Sequence, residues 1–243
     1  MKDKITLVMY SHSSYSDVWK PFFNQSSKYL SDYKKVLLSD KSSMELPEDW
    51  SLLAYDDSLS YSERVSSCLK NIDTPLCFFH HEDMFLYREP NTHLLKEYEN
   101  IVLNENVDFI RMLRSTDNPD FNYKKHSTLF HVPNYSQYFF AVQPSICKTD
   151  SLIKIFENTK IDHLREFEIK VQKVCRNLKI KGLFHYDGES KEGDHHYGSN
   201  VYPYVATAVV KGKWNISGYQ DKLKNILVEN NINIDLRGVV WLN

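Results

Sequence analysis

The chain has no long apolar run. Nothing in it approaches the roughly 18 consecutive apolar residues that cross a bilayer. Its first apolar stretch, ITLVMY at residues 5–10, is broken by Ser11 and His12. It is too short for the core of a secretion signal and lacks a small-residue cleavage site, so a soluble protein is expected. Cysteine is sparse: Cys68, Cys77, Cys147 and Cys175 lie far apart in apolar surroundings, with no CxxC spacing. That pattern reads as reduced, buried thiols in a cytoplasmic protein rather than a disulfide framework or a zinc ribbon. Charge of one sign is missing too. Thirty Lys and Arg stand against 32 Asp and Glu, which removes any broad electrostatic reason to bind nucleic acid or an anionic membrane. No internal repeat, low-complexity linker or H-E-x-x-H zinc signature is found. What is present is core material: 42% hydrophobic residues and 14% aromatics, enough to exclude wholesale disorder.

The order of elements is legible over the first ninety residues. ITLVMY reads as a buried strand. A helix follows over about 16–30 with Trp19, Phe22 and Phe23 on its apolar side, then strands at 35–39 (KVLLS) and 51–55 (SLLAY). Ser60 and Glu63 form a capping box, and Tyr61, Val65, Cys68 and Leu69 then share one helical face. PLCFFHH reads as another buried strand. This alternation predicts an α/β domain with helices on a largely parallel sheet, in which 5–10, 36–39 and 76–80 are neighbouring inner strands. Farther on, residues 93–105 read as helix, 108–114 as strand, 115–137 as a long loop and YFFAVQ (138–143) as strand. A helix starts at 150 with Asp150 as its cap. Leu164, Phe167, Val171, Val174 and Leu178 mark a helix over 162–178. Residues 185–200 read as a polar loop, VYPYVATAVV (201–210) as strand, KGKW as a turn and 219–229 as a closing helix.

One stretch breaks the apolar pattern with charge. CFFHHEDMFLY (77–87) ends a strand in two histidines, a glutamate and an aspartate. In open α/β sheets, ligands bind beyond the carboxyl ends of the strands. His81 and Asp83 alternate to one face of the extended chain and Glu82 to the other. Carboxylates favour Mg²⁺ or Mn²⁺, and a histidine adds tolerance for Mn²⁺ or Zn²⁺. A solvated turn is the competing reading, and His80 reads as a packed core residue.

An N-terminal strand, an Asp after the second strand, a helix bearing Arg64 and an apolar strand ending in acids together resemble the nucleotide-sugar-dependent glycosyltransferases of the GT-A type. HED at 81–83 is similar to that superfamily's D-x-D or E-D-D metal motif, with His81 in the first place. The phrase SYSERVSSCLKNIDTPLCFFHHEDMFLY (60–87) looks like that of small bacterial and viral proteins of this type, and the resemblance is best over residues 5–90. It implies a GT-A-like (Rossmann-like) open, twisted, mixed sheet flanked by helices, as a single domain over 1–243. Residues 1–90 would be the nucleotide-sugar and metal half, and 91–243 the acceptor half with a C-terminal loop. It also implies an inverting, metal-dependent transfer from a UDP-sugar to a glycan or other hydroxyl acceptor. A Mn²⁺ or Mg²⁺ ion would bridge the two phosphates of the leaving group.

The resemblance assigns roles, each with a plainer alternative. Asp83 is the direct metal ligand, assisted by His81 or Glu82, with His195 or His196 from the glycine-bearing loop completing the shell; otherwise that loop is simply surface. Tyr10, Ser11 and His12 meet the nucleotide, or form a polar loop. Asp40 accepts the uracil N–H, or caps a turn. Arg64 reaches the diphosphate, or lies on the surface. Lys211 and Lys213 touch phosphates, or belong to a hairpin turn. The catalytic base is Glu168, with Glu166 and Asp73 as rivals. Helical periodicity puts Glu168 about 90° and Glu166 about 110° from the centre of the Leu164–Leu178 stripe, and plain first-turn acids are the alternative. Two other classes stay open: a zinc-dependent hydrolase built on the histidine pairs and Asp83, and a catalytically silent nucleotide- or carbohydrate-binding module.

Overall fold

The chain's most apolar segments become the middle of one sheet. A computed structural model describes residues 4–192 and 196–240, the side chain of Arg165 excepted. In chain order the elements are β1 (Ile5–Tyr10), a 3₁₀ turn (Ser13–Tyr15), α1 (Ser16–Tyr29), β2 (Lys34–Ser39), β3 (Trp50–Ala54), α2 (Tyr61–Leu69), β4 (Leu76–His81) and α3 (Thr92–Asn104). There follow β5 (Phe109–Arg111), β6 (Leu129–His131), β7 (Ser145–Lys148), α4 (Thr149–Thr159), α5 (Leu164–Asn177) and β8 (Gly182–His185). The chain then runs through β9 (Lys191–Glu192), β10 (His196–Tyr197), β11 (Val209–Val210), β12 (Lys213–Trp214), α6 (Ile216–Glu229) and α7 (Ile234–Arg237). None of the described helices is long and apolar enough to cross a membrane.

Every residue of β1 and β4 is buried, as expected of strands covered on both faces. β1 sits between β2 and β4 in a sheet of order β3-β2-β1-β4-β7-β5-β8-β6. Tyr10 pairs with Leu38 on one side and His81 on the other, so the carboxyl ends of β2, β1 and β4 form one edge. The sheet is mixed rather than largely parallel. β1–β2, β1–β4, β2–β3 and β5–β8 run parallel, while β7 opposes both β4 and β5 and β6 opposes β8. An antiparallel neighbour needs no crossover helix, and the chain between β5 and β7 has none.

The capping box forms as read: Ser60 Oγ accepts from Glu63 N, and Glu63 Oε2 accepts from Ser60 N at 3.1 Å. Elsewhere the apolar runs misled. YFFAVQ is not a strand; the strand lies beyond Pro144, at β7. Phe139 and Phe140 are buried, but their segment is held by side chains of α5. Phe140 N donates to Gln172 Oε1 at 3.1 Å, Gln172 Nε2 donates to Phe140 O at 2.9 Å, and Val142 N donates to Glu168 Oε1 at 2.9 Å. VYPYVATAVV is strand only at Val209–Val210. Pro203 has no N–H for a ladder, and the segment instead runs beside the chain after β4, with Tyr87 N on Pro203 O, Val205 N on Phe85 O and Ala208 N on Asp83 O. Asp150 lies inside the first turn of α4, whose N-cap is Lys148. α5 buries Phe167, Val171, Gln172 and Cys175, whereas Leu164 and Leu178, the ends of the predicted stripe, are exposed. β6 and β8, of three and four residues, went unread.

The excursion between β5 and β7 is anchored by one buried ion pair. Arg111 at the end of β5 donates Nη2 to Asp117 Oδ2 at 2.7 Å and Nη1 to Tyr138 O at 2.8 Å. The Arg111 side chain is fully buried and the Asp117 side chain only 7% exposed. Removing one partner of such a pair strands the other charge. Asp117→Asn is therefore expected to lower stability by about 3 kcal/mol, read as the shift in the urea midpoint. A change below about 1 kcal/mol would show the pair to be a surface-like contact.

Candidate active site

The carboxyl ends of β1 and β4 meet in a knot of rings. Tyr10 stacks on Tyr55 at 5.6 Å between centroids, meets Tyr61 edge-on at 5.1 Å and lies 5.2 Å from His81. Strand alternation sends the two histidines opposite ways. His80 Nε2 pairs with Tyr202 Oη at 2.9 Å and Nδ1 with Phe78 O at 3.0 Å, the core role read for it. His81 Nε2 pairs with Tyr61 Oη at 3.0 Å. Burial holds both imidazoles near a pKa of about 3, so both are neutral. His81, expected to assist a metal, thus has its Nε2 engaged by Tyr61.

Directly after β4 come two adjacent, half-buried carboxyls. Burial pushes Glu82 upward, and the neighbouring Asp83 adds to it; Asp83 is also pushed up by burial. Val209 N on Asp83 Oδ2 at 3.3 Å and the Arg237 guanidinium pull the other way. Arg237 is itself bound to Asp17, with Nε on Oδ2 at 2.8 Å. Two adjacent desolvated carboxyls, one of them raised further by its neighbour, make a place where a cation is favoured. The donor set suits Mg²⁺ or Mn²⁺, which is commonly held by one or two carboxylates, waters and substrate phosphates. Among the described residues no three His, Cys, Asp or Glu side chains stand together as ligands for a metal ion, so waters and substrate phosphates would have to complete the shell.

Beside this pair, the edge formed by β1, β2 and β3 carries a polar rim. Asp40 Oδ1 accepts from Ser13 N at 2.7 Å and Ser39 Oγ at 3.1 Å, and Oδ2 accepts from Ser13 Oγ at 2.7 Å. Burial opposes its ionisation, but these bonds and nearby His12 hold the carboxyl at about 2. His12 Nε2 lies 3.4 Å from Asp57 and 3.9 Å from Asp40, and Arg64 Nη2 lies 3.0 Å from Asp57. His12, Asp40 and Arg64 are thus brought together. Tyr10 and Ser11 are turned inward instead. Tyr10 is a member of the ring cluster, and Ser11 is fully buried, accepting from Trp19 Nε1 at 2.7 Å on its hydroxyl and from Tyr55 Oη at 2.8 Å on its carbonyl. The Ser11 hydroxyl also meets Glu82, lowering that carboxyl's pKa, so Ser11 supports the acid pair.

A cavity of about 260 Å³ opens beside Met84, the residue after Asp83, and Glu168, Gln143, His196 and Thr207 line it. Glu168 accepts from Val142 N, and burial raises its pKa above the ordinary glutamate range. Tyr61 links the two acid sites: its ring lies 6.0 Å from His81 and 5.4 Å from Phe167, and its hydroxyl feels both Glu82 and Glu168. Glu166 points to solvent and pairs with Lys170. Asp73 is not brought to the site. It precedes β4 at the opposite end of the strand, exposed and paired with Lys34 at 2.7 Å.

His196 Nε2 meets Tyr219 Oη at 2.9 Å; His195 lies outside the described residues. Lys211 and Gly212, with φ of 49° and 76°, make the two-residue turn between β11 and β12, the geometry of a type I′ hairpin. Lys211 and Lys213 are exposed on that hairpin, which begins at the Val209 amide that touches Asp83. Sequence reasoning missed Tyr61, Gln143 and Arg237. Arg237 and Gln143 carried no local signal. Tyr61 was read only as one apolar position of a helix face.

No family model matches the sequence, and no curated protein matches it. Among solved structures, S. aureus TarS 1–349 is similar with a TM-score of 0.51 and 14% identity, over 96% of this chain and 66% of that one. The same fragment in complex with UDP gives a TM-score of 0.52 at 14% identity over 96% and 66%. In complex with UDP-GlcNAc it gives 0.51 at 13% identity over 96% and 67%. The chain spans 39% of the longer TarS structure. At this identity the likeness is one of fold alone, and the fold of the chain is the GT-A-like α/β fold of these structures.

Proposed function

We propose that the chain transfers a sugar from a UDP-sugar to a hydroxyl of a glycan acceptor, with inversion and with Mn²⁺ or Mg²⁺. The observation that carries this reading is the placement of Glu168 on the wall of a cavity that Met84, the residue after Asp83, also lines. A desolvated base would thereby face a cavity whose wall is one residue along the chain from the leaving-group site. The UDP and UDP-GlcNAc complexes of the structurally similar TarS support the donor class.

The chain's own groups divide the work. His12, Asp40 and Arg64 would meet the nucleoside and diphosphate, and Lys211 and Lys213, on the hairpin that begins at the Asp83-bonded Val209 amide, would approach the phosphates. Asp83, with Glu82, would hold the divalent ion. When bound, that ion neutralises charge growing on the diphosphate as the glycosidic bond breaks. Glu168 accepts the proton of the acceptor hydroxyl as its oxygen bonds to the anomeric carbon, and the pair of electrons from the broken C–O bond leaves with UDP. The raised pKa brings Glu168 nearer the value a base needs at neutral pH. The direct attack of one acceptor oxygen gives inversion.

Asp83→Asn is expected to abolish Mn²⁺-dependent binding of UDP-sugars while the melting temperature holds, because asparagine still accepts from Val209 N. Unchanged UDP affinity on titrating Mn²⁺ into that variant would remove Asp83 from the role. A panel of nucleotide sugars read by melting shift and by slow hydrolysis identifies the donor.

Glu168→Gln is expected to keep donor binding and to slow transfer by roughly 10²–10⁴-fold. Transfer by the native chain should fall as pH drops through the raised Glu168 pKa, and this acid limb should vanish in the variant. Near-normal transfer by Glu168→Gln, with a dead Glu166→Gln beside it, would move the base to Glu166.

A further inference from the structure

The cavity beside Met84 does not end at Glu168. A second groove of about 300 Å³ runs along the outer side of α5 and shares both Glu168 and Tyr138 with the cavity. We infer that this groove binds a neutral oligosaccharide, the acceptor, with Tyr135 and Tyr138 as platforms for its sugar rings. The assignment rests on the glycosyltransferase reading and gives it an acceptor class.

Three observations carry it. The first is a pair of aromatic rings held out in water. Tyr135 is 74% and Tyr138 38% exposed, yet the loop that bears them is fixed. Arg111 grips Tyr138 O, Ser136 Oγ accepts from Tyr138 N at 3.1 Å, Ser136 N donates to Pro133 O, and Arg176 Nη1 donates to Asn134 O at 3.1 Å. Exposed tyrosines on a pinned loop present flat apolar faces at little cost in lost motion, which suits the C–H face of a pyranose.

The second is an orphaned donor. Gln143 is 9% exposed and lines the cavity, and its buried Nε2 has no partner among the described residues. Buried donors are nearly always satisfied. A hydroxyl oxygen of a bound sugar supplies the missing acceptor, and the same hydroxyl can give its proton to Glu168 across the cavity. The third is charge. The groove's ionisable side chains are Glu168 and Arg176, one of each sign. A polyanion would call for a cluster of Arg or Lys, so a neutral chain fits better.

The test is direct binding of the whole chain to oligosaccharides of increasing length: cello-, malto-, xylo- and N-acetylchito-oligomers, with oligouronides as the anionic arm. At least one neutral series should bind and tighten with length. Tyr135→Ala should weaken it about tenfold and flatten the length dependence, Tyr135→Phe should restore it, and Gln143→Leu should weaken it about fivefold. Tyr135 is largely exposed, so its truncation leaves the melting temperature unchanged. The inference is overturned if no neutral oligomer binds, if only uronides bind, or if Tyr135→Ala binds as the native chain does. UDP-sugar binding measured on the same protein separates the two readings. Oligosaccharide binding without any nucleotide-sugar binding sinks the transferase reading and keeps the groove; the reverse sinks the groove alone.

Discussion

The parallel pairing of β1 with β4, from Ile5 opposite Leu76 to Tyr10 opposite His81, is the constraint on which the rest depends. It aligns two wholly buried strands so that both end at the same level. The chain leaving β4 must there pass from a medium that excludes charge to one that admits it. Glu82 and Asp83 stand at that step, which is why burial raises both carboxyls while leaving them accessible. A slip of one residue in this register would exchange the faces of His80 and His81. It would break the His80–Tyr202 and His81–Tyr61 bonds together, so core packing and site position are fixed by the same pairing.

The second half of the chain is tied to this edge by bonds of an unusual kind. The segment 83–87 exchanges main-chain bonds with 203–208, and the segment 138–143 exchanges bonds with side chains of α5. Glu168 belongs to the second set: the carboxylate that borders the cavity also accepts from Val142 N. Its neighbour Gln172 clamps Phe140 from both sides of the peptide. An acid on a helix is thus immobilised by loop backbone, and the loop by the helix, which is the mutual fixing that a positioned base requires.

This division explains what could be read in the sequence. β1, β4 and α2 were legible because their buried faces obey a period of two or of 3.6 residues, and because the capping box is local. YFFAVQ and VYPYVATAVV obey the strand pattern equally well. They fail as strands because their main-chain groups are satisfied by Gln172, Glu168 and the 83–87 segment, far away in sequence. Asp83 was legible as the acid at the end of an apolar run. Gln143 and Arg237 were not, since each reaches the site through tertiary packing. For α5 the periodicity misplaced the stripe: Leu164 and Leu178 are exposed, and the buried face runs through Phe167, Val171 and Cys175, which carries Glu168 inward and leaves Glu166 in water.

Burial raises the pKa of all three site acids, but their surroundings direct them to different ends. Glu82 and Asp83 are adjacent, so part of what holds Glu82 up is repulsion from Asp83, which a divalent cation bound there would relieve. Glu168 has no carboxylate partner among the causes of its shift, only burial, opposed by the Val142 amide. Tyr61, with ring contacts to both His81 and Phe167, joins the end of β4 to α5 and fills the space linking the two sites with aromatic material. A cation on Asp83 therefore acts on a neighbour it touches, while Glu168 keeps the elevated pKa that its own pocket confers. One fold edge can in this way hold a pair of acids suited to a metal and, across a tyrosine, a single acid suited to taking a proton.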